Sequence, residues 1–295
     1  MSKIDLGKVG LWTATFDMQP MKKSQEAIAQ VEAMGFKTVW VPEAVLREPF
    51  ASTSLLLSAT KNMVLATGIA SIHARTAQTM NSGWRTVSEA FPDRFVLGMG
   101  VSHAPMVEGA HKVNYSKPYS TMVQYLDHMD AAAFFSPQPA APRRVLAALG
   151  PKMLKLAADR CDGAHPYFIP VEHTVEARNI MGAEALLAPE QAVVFETDPA
   201  KARTIARTHM STYTRLPNYV NNLIRMGYKE EDIVNQADNV VDAIVAWGTT
   251  DQVLSRVKAH LDGGADHVCV QVLTEDVRAL PMSQWQELAD ATRSI

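Results

Sequence analysis

Arg144-Val145-Leu146-Ala147-Ala148-Leu149-Gly150-Pro151-Lys152-Met153 reads as a short apolar strand that breaks at Gly-Pro and starts a helix. An uninterrupted apolar run suits a strand covered on both faces, as parallel strands are. Proline fits the first helical turn, where its missing N–H leaves no bond unmade. The same unit recurs along the chain. Further strand candidates are Val9 to Thr13, Thr38 to Pro42, Met63 to Ile69, Phe95 to Met99, Gly163 to Tyr167, Ala192 to Glu196 and His267 to Leu273. With Arg144 to Leu149 they make eight. Helical stretches lie between them: Ser24 to Met34, Thr76 to Ala90, Lys117 to Phe134, Met153 to Arg160, Val175 to Leu187, Pro199 to His209 and Thr250 to Leu261. This alternation predicts an α/β fold, a closed (β/α)₈ TIM barrel spanning residues 1–295 as one domain.

Two helix-to-strand joints use one device. Ala33-Met34-Gly35-Phe36 and Leu261-Asp262-Gly263-Gly264-Ala265 each offer a glycine that can end a helix in the left-handed conformation. The stretch Thr212 to Asn239 breaks the rhythm: it is polar, carries Pro217, asparagines around Tyr219 and an acidic run at Glu230 to Asp232. It is predicted to be an insertion between the seventh and eighth strands, either covering the active-site mouth or decorating the rim.

The 295 residues are 47% hydrophobic and 20% charged, enough for a large core and too apolar for extended disorder. No run approaches the roughly 20 apolar residues of a membrane span, and no export signal is legible at Met1 to Gly10. Cys161 and Cys269 stand far apart in no metal-like or redox-like pair, so a reducing cytoplasm is expected and a metal site is not. A formal charge of −3 argues against a nucleic-acid surface. The expected partners are a small-molecule substrate and a second copy in a homodimer, with neither nucleic acid nor membrane.

In such a barrel the chemistry sits where strands end and loops begin. Trp12, closing the first strand, either walls a ring-shaped cofactor or packs. Glu43 follows the second strand, where a buried carboxylate must find a ligand, a backbone amide or a basic neighbour. The third strand ends in Thr67-Gly68-Ile69-Ala70-Ser71-Ile72-His73-Ala74-Arg75; a glycine there suggests a bulge or the close approach of a ligand. The fourth ends in Gly98-Met99-Gly100-Val101-Ser102-His103, small residues that let a planar ring come near, with His103 placed to handle a proton. It is not a dinucleotide fingerprint, because the third glycine and the acidic partner are absent. The fifth offers Ala148, Leu149, Gly150, Pro151, Lys152 and Met153: a helix N-terminus able to receive a phosphate, or an ordinary turn.

Together these pieces resemble the luciferase-like monooxygenase superfamily, and within it the actinobacterial enzymes that use the deazaflavin coenzyme F420. The marks are Thr67-Gly68-Ile69 with Arg75, Phe91-Pro92-Asp93-Arg94-Phe95-Val96-Leu97-Gly98-Met99-Gly100-Val101, Ala147-Ala148-Leu149-Gly150-Pro151-Lys152-Met153, and Gly264-Ala265-Asp266-His267-Val268. The resemblance implies a bulge after the third strand, often with a non-prolyl cis peptide, pressing on the middle of the deazaflavin; here that bond is Gly68 to Ile69. It also implies a cofactor phosphate at Gly150 to Met153. Trp12, Gly68, Ile69, Ala70, Gly98, Gly100, Val101 and Ala148 to Met153 are then the candidate cofactor contacts. Relatives acting on alcohols or sugar phosphates carry an acid-histidine pair after the second strand and a glutamate after the fourth. This chain departs from them, with Glu43-Ala44 and His103 in those places, so Glu43, His73 and His103 stand as the candidate proton-handling groups. The expected reaction is hydride transfer between F420 and a small organic substrate; the alternatives are an FMN-dependent monooxygenase and a non-catalytic cofactor-binding barrel.

Overall fold

A computed structural model describes residues 4–293. The two ends of the expected 1–295 span therefore lie outside the described residues. Among the described residues eleven strands form one sheet: β1 (Val9–Trp12), β2 (Thr38–Val41), β3 (Val64–Thr67), β4 (Ala70–Ser71), β5 (Phe95–Gly100), β6 (Arg143–Leu146), β7 (Gly163–Ala164), β8 (Leu186–Leu187), β9 (Glu190–Val194), β10 (Val245–Trp247) and β11 (Val268–Val272). Every pairing is parallel. β8 pairs with β7, runs on through Ala188 and Pro189 into β9, and β9 pairs with β11, which returns to β1. The sheet curls back on itself as a barrel whose seventh stave is the continuous run Leu186 to Val194.

Period-two alternation explains why these staves stay together. Trp40, Ala66, Val96, Val145, Ala188 and Cys269 pack with one another inside the ring. Their outward neighbours Val39, Leu65, Leu97, Leu146 and Val270 join a second cluster with the surrounding helices. Each fully buried Leu or Val side chain contributes about 1.5–3 kcal/mol relative to exposure. Gly35 and Gly264 take φ 107° and 100°, the left-handed geometry expected at the two helix-to-strand joints.

Several boundaries differ from the sequence reading. The helix expected over Val175 to Leu187 is Val171–Met181, and Leu186–Leu187 is strand β8, because Gly182 (φ 76°) ends the helix early. The seventh strand begins at Glu190 rather than Ala192. β10 and the helices Pro49–Leu57, Ala104–Gly109 and Met282–Thr292 were not anticipated. Helices Pro217–Arg225 and Glu230–Val234 and the start of Asp238–Ile244 occupy the stretch that breaks the rhythm. Among the described residues no helix is long and apolar enough to cross a membrane.

Candidate active site

The C-terminal ends of β3, β4, β5 and β6 make a floor almost free of side chains. Thr67 Oγ1 donates to the Gly98 carbonyl at 2.6 Å, and a Cβ at Gly98 would collide with the Thr67 carbonyl. A Cβ at Gly100 would lie 2.9 Å from Ile69 Cδ1 and 3.0 Å from Ala147 Cβ. The peptide between Gly68 and Ile69 is cis. Ala70 pairs with Met99 and Ser71 with Gly100, so the third and fourth staves stay in register beyond the bulge, and Val101 packs against the outer core. Gly68, Ile69, Ala70, Gly98 and Gly100, the ring contacts expected from sequence, thus pack side by side at the ends of the third and fourth staves, with Val101 turned to the outer core.

Trp12 stands over it. Its indole Nε1 faces Gly68 and has no hydrogen-bond partner, although the residue is only 6% exposed. His165 Nε2 approaches the Cβ position of the same glycine, 3.2 Å from it. Its Nδ1 donates to the Ala188 carbonyl at 2.7 Å, which leaves Nε2 an acceptor without a partner. Burial pushes the imidazole down to about 4, so it is neutral at pH 7.

The other predicted residues divide. Glu43 is one side of a closed clamp: Arg75 grips both its oxygens, at 2.8 Å for Nη1 to Oε2, and the Ser71 N–H donates to Oε2 at 2.7 Å. The backbone amide and the basic neighbour, two of the partners expected for it, both hold its carboxylate. His73 is half-buried and sits 5.8 Å from the Tyr115 ring with Nε2 unpartnered. Its pKa is lowered, chiefly by burial and then by His111. His103 is half-buried at the start of helix Ala104–Gly109; Nδ1 donates to the Asn218 side-chain carbonyl at 3.1 Å and its ring lies 5.3 Å from that of Tyr219. Burial lowers its pKa and the Asn218 bond works the other way.

At the fifth stave, Gly150 precedes helix Pro151–Arg160, whose N-terminus no side chain caps. Nothing lies within 4 Å of a Cβ built on Gly150, and Lys152 is exposed. Ala148 is buried beside this turn, while Met153 packs its partly buried side chain on the core. The Leu149 carbonyl accepts from His173 Nε2 at 2.8 Å and from Arg225 Nη2 at 3.4 Å. Arg225 belongs to helix Pro217–Arg225, as do Asn218 and Tyr219. That one helix therefore reaches both His103 and the Gly-Pro turn.

Sequence reasoning missed what stands above β7 and β9. Rings of Trp12 and Tyr167 are 5.1 Å apart, Tyr167 and Tyr213 5.3 Å, Phe168 and Tyr219 5.3 Å, and Tyr213 and Tyr219 5.4 Å. The Tyr167 hydroxyl lies within hydrogen-bond distance of two oxygens, Gln271 Oε1 at 2.9 Å and the Tyr213 hydroxyl at 3.0 Å. Glu190 lies among them, with burial pushing its carboxyl up to about 8. The alternation Gly163, His165, Tyr167 was a usable signal for inward-facing polar residues. Glu190 gave none, since a carboxylate does not announce itself as the start of a buried strand.

The luciferase-like monooxygenase family model matches residues 7–267. A Mycobacterium tuberculosis protein with the provisional name coenzyme F420-dependent oxidoreductase is 28% identical over 192 residues, 55% of this chain and 55% of that protein. The chain thus matches about half the length of this relative. An F420-dependent secondary alcohol dehydrogenase, solved with an F420-acetone adduct, superposes with TM-score 0.78 at 16% identity, covering 99% of this chain and all of that one. The F420-dependent tetrahydromethanopterin reductase of Methanopyrus kandleri gives 0.77 at 14%, covering 97% and 98%. At such identities the two structures speak for the fold.

Proposed function

The chain belongs to the luciferase-like monooxygenase family, and from that premise we propose that it is an oxidoreductase that uses coenzyme F420 to exchange a hydride with a small organic substrate. The observation that carries this reading is the floor. Gly68, Ile69, Gly98, Gly100 and Ala147 pack closely at the strand ends, where an added Cβ on any of the three glycines would clash, which keeps side chains few where a tricyclic ring would lie. The uncapped helix at Gly150 to Met153, with open space at Gly150, fits a phosphate tail. The relatives that bind F420 support the choice of deazaflavin.

When bound, the deazaflavin supplies a two-electron hydride donor or acceptor. The protein's own part is to orient the ring with the bulge at Gly68 and Ile69, to wall it with Trp12, and to exclude water with the aromatic cluster. His103, its pKa lowered chiefly by burial and its Nδ1 held by Asn218, keeps Nε2 as an acceptor for a substrate proton. His73 is the other imidazole at the rim. The free thiols of Cys161 and Cys269 support a reducing, cytoplasmic setting; light scattering tests the proposed homodimer.

Titration of the purified full-length protein with reduced and oxidised F420 and with FMN tests the assignment. Saturable binding of F420 at lower concentration than FMN is the expected result. Preference for FMN would move the protein to the flavin monooxygenases, and binding of neither would remove the hydride-transfer reading.

A further inference from the structure

Between β10 and helix Thr250–Asp262 lies a cavity of about 340 Å³. None of its lining belongs to the ring floor, the Gly150 turn or the rim histidines, so the chemistry proposed above leaves it unused. The helix faces it with Gln252, Ser255, Arg256 and Ala259, the i, i+3, i+4, i+7 spacing of a single face. The strand, which pairs with β9 alone, supplies the other wall with Val245, Ala246 and Trp247.

Arg256 gives the cavity its character. It is half-buried, and its guanidinium donates to two carbonyls in the last turn of helix Asp238–Ile244, from Nη1 to Ala243 at 2.7 Å and from Nη2 to Asp242 at 2.8 Å. Those bonds fix the plane of the group and occupy two of its five N–H donors. They bring no full counter-charge, because carbonyls at a helix C-terminus carry only partial negative charge. Among the described residues no carboxylate forms an ion pair with Arg256. A cation withdrawn from water normally has one, since an unanswered buried charge is costly.

The side chains beside it are donors too. Gln252 commits Oε1 to the Thr249 N–H at 2.8 Å in the capping box, which leaves its Nε2 amide group without a partner among the described residues. The exposed Ser255 hydroxyl likewise makes no bond there. The one carboxylate in the lining, Asp242, is already engaged: Arg203 holds it at 3.0 and 2.6 Å, and the Trp247 indole N–H donates to it at 2.7 Å.

Three donors, one of them charged, beside the carbon surface of Val245, Ala246 and Ala259 define a complement. A cation would be repelled, and a neutral group would leave the charge unanswered. An oxyanion uses all three, and a carboxylate matches the planar guanidinium fork. The volume lies at the small end of ligand sites, and the apolar wall suits a body that inorganic phosphate lacks. We propose that this cavity is a second binding site, separate from the ring floor, for a small organic carboxylate, with Arg256 as its counter-ion and Gln252 Nε2 and the Ser255 hydroxyl as further donors. The assignment does not depend on the hydride-transfer reading.

The test titrates full-length protein without coenzyme, at fixed ionic strength, with benzoate, benzamide and inorganic phosphate, and follows the indole N–H signals of the five tryptophans. Benzoate should bind saturably and shift the signal that Trp247→Phe removes. Benzamide, the same shape without the charge, and phosphate, the charge without the body, should bind about tenfold or more weakly. Gln252→Glu keeps the capping oxygen and sets a carboxylate four residues before Arg256, the favourable order for an ion pair on a helix. It should leave the melting temperature unchanged or raised and weaken benzoate about tenfold or more. Arg256→Gln should abolish binding; if it fails to fold because the last turn of Asp238–Ile244 loses its donor, the Gln252 variant still decides. Equal binding of benzamide, tighter binding of phosphate, a benzoate response that leaves the Trp247 signal in place, or unchanged benzoate affinity in Gln252→Glu would overturn the assignment.

Discussion

Replacing Glu43 by Ala should damage the fold before it damages any chemistry. The side chains of Glu43 and Arg75 are each 9% exposed, and together they pin the segment after β4 through the Ser71 amide. Removing the carboxylate strands a buried guanidinium and a backbone N–H. Breaking a buried pair from one side costs about 3–5 kcal/mol, and an orphaned amide accounts for about 1–3 kcal/mol of such losses. Glu48, 3.4 Å from Arg75 and half exposed, cushions the charge and places the expected loss near the lower bound, about 3 kcal/mol. That corresponds to a fall in Tm of roughly 6–12 °C. Urea denaturation of Glu43→Ala and of the double variant Glu43→Gln, Arg75→Met measures it; the double variant should recover most of the loss because no charge is left alone. A stability change under about 1 kcal/mol, joined to lost turnover, would refute the clamp and return Glu43 to the substrate side.

Other outcomes follow from the same geometry. Acid should destabilise the protein: His165, His209 and His267 are each held down to about 4, and His260 to about 3, so between pH 6.5 and 4 the unfolded chain binds protons the fold refuses. Their combined stabilisation is complete above about 6.5 and is lost as pH falls, while Glu190, raised to about 8, offsets part of that loss because its own contribution fades as pH rises from 4.5; melts at pH 7.5 and 5 report the balance. Gly100→Val should force Ile69 and Ala147 apart, costing about 1–3 kcal/mol and weakening F420 binding more than tenfold, as melting and fluorescence titration will show. Gly150→Glu has room for its side chain, so Tm should hold while phosphate-dependent affinity falls about tenfold or more. His103→Gln should cut turnover about 10²-fold and flatten its pH profile with coenzyme affinity unchanged; if His73→Gln does so instead, the two imidazoles exchange roles.

Much of this molecule is legible from local pattern. The staves follow from apolar runs such as Val39 to Val41 and Phe95 to Met99, since a strand buried on both faces has no polar position to confuse the period. The ring floor was legible because glycines inside strands need a reason. What escaped is tertiary. Leu186 and Leu187 suit a helix as well as a strand, and only the Gly182 turn and the β7 edge decide between them. Arg75 completes the Glu43 clamp from 32 residues away, and Tyr219 meets Tyr167 across 52, distances at which a single sequence shows no periodicity. Glu190 escaped for the opposite reason, because its position contradicts the usual rule for carboxylates and the rule hid it.

Helix Pro217–Arg225 carries Asn218 toward His103, Tyr219 into the aromatic cluster and Arg225 to the Leu149 carbonyl. Those contacts travel through heredity as one contiguous block of nine residues. Exchanging that block between paralogous barrels would renew the rim of the mouth in a single recombination event and leave the stave interior of Trp40, Val96 and Val145 as it was. Lineages built on this plan can diversify what they accept without reopening the question of how they fold.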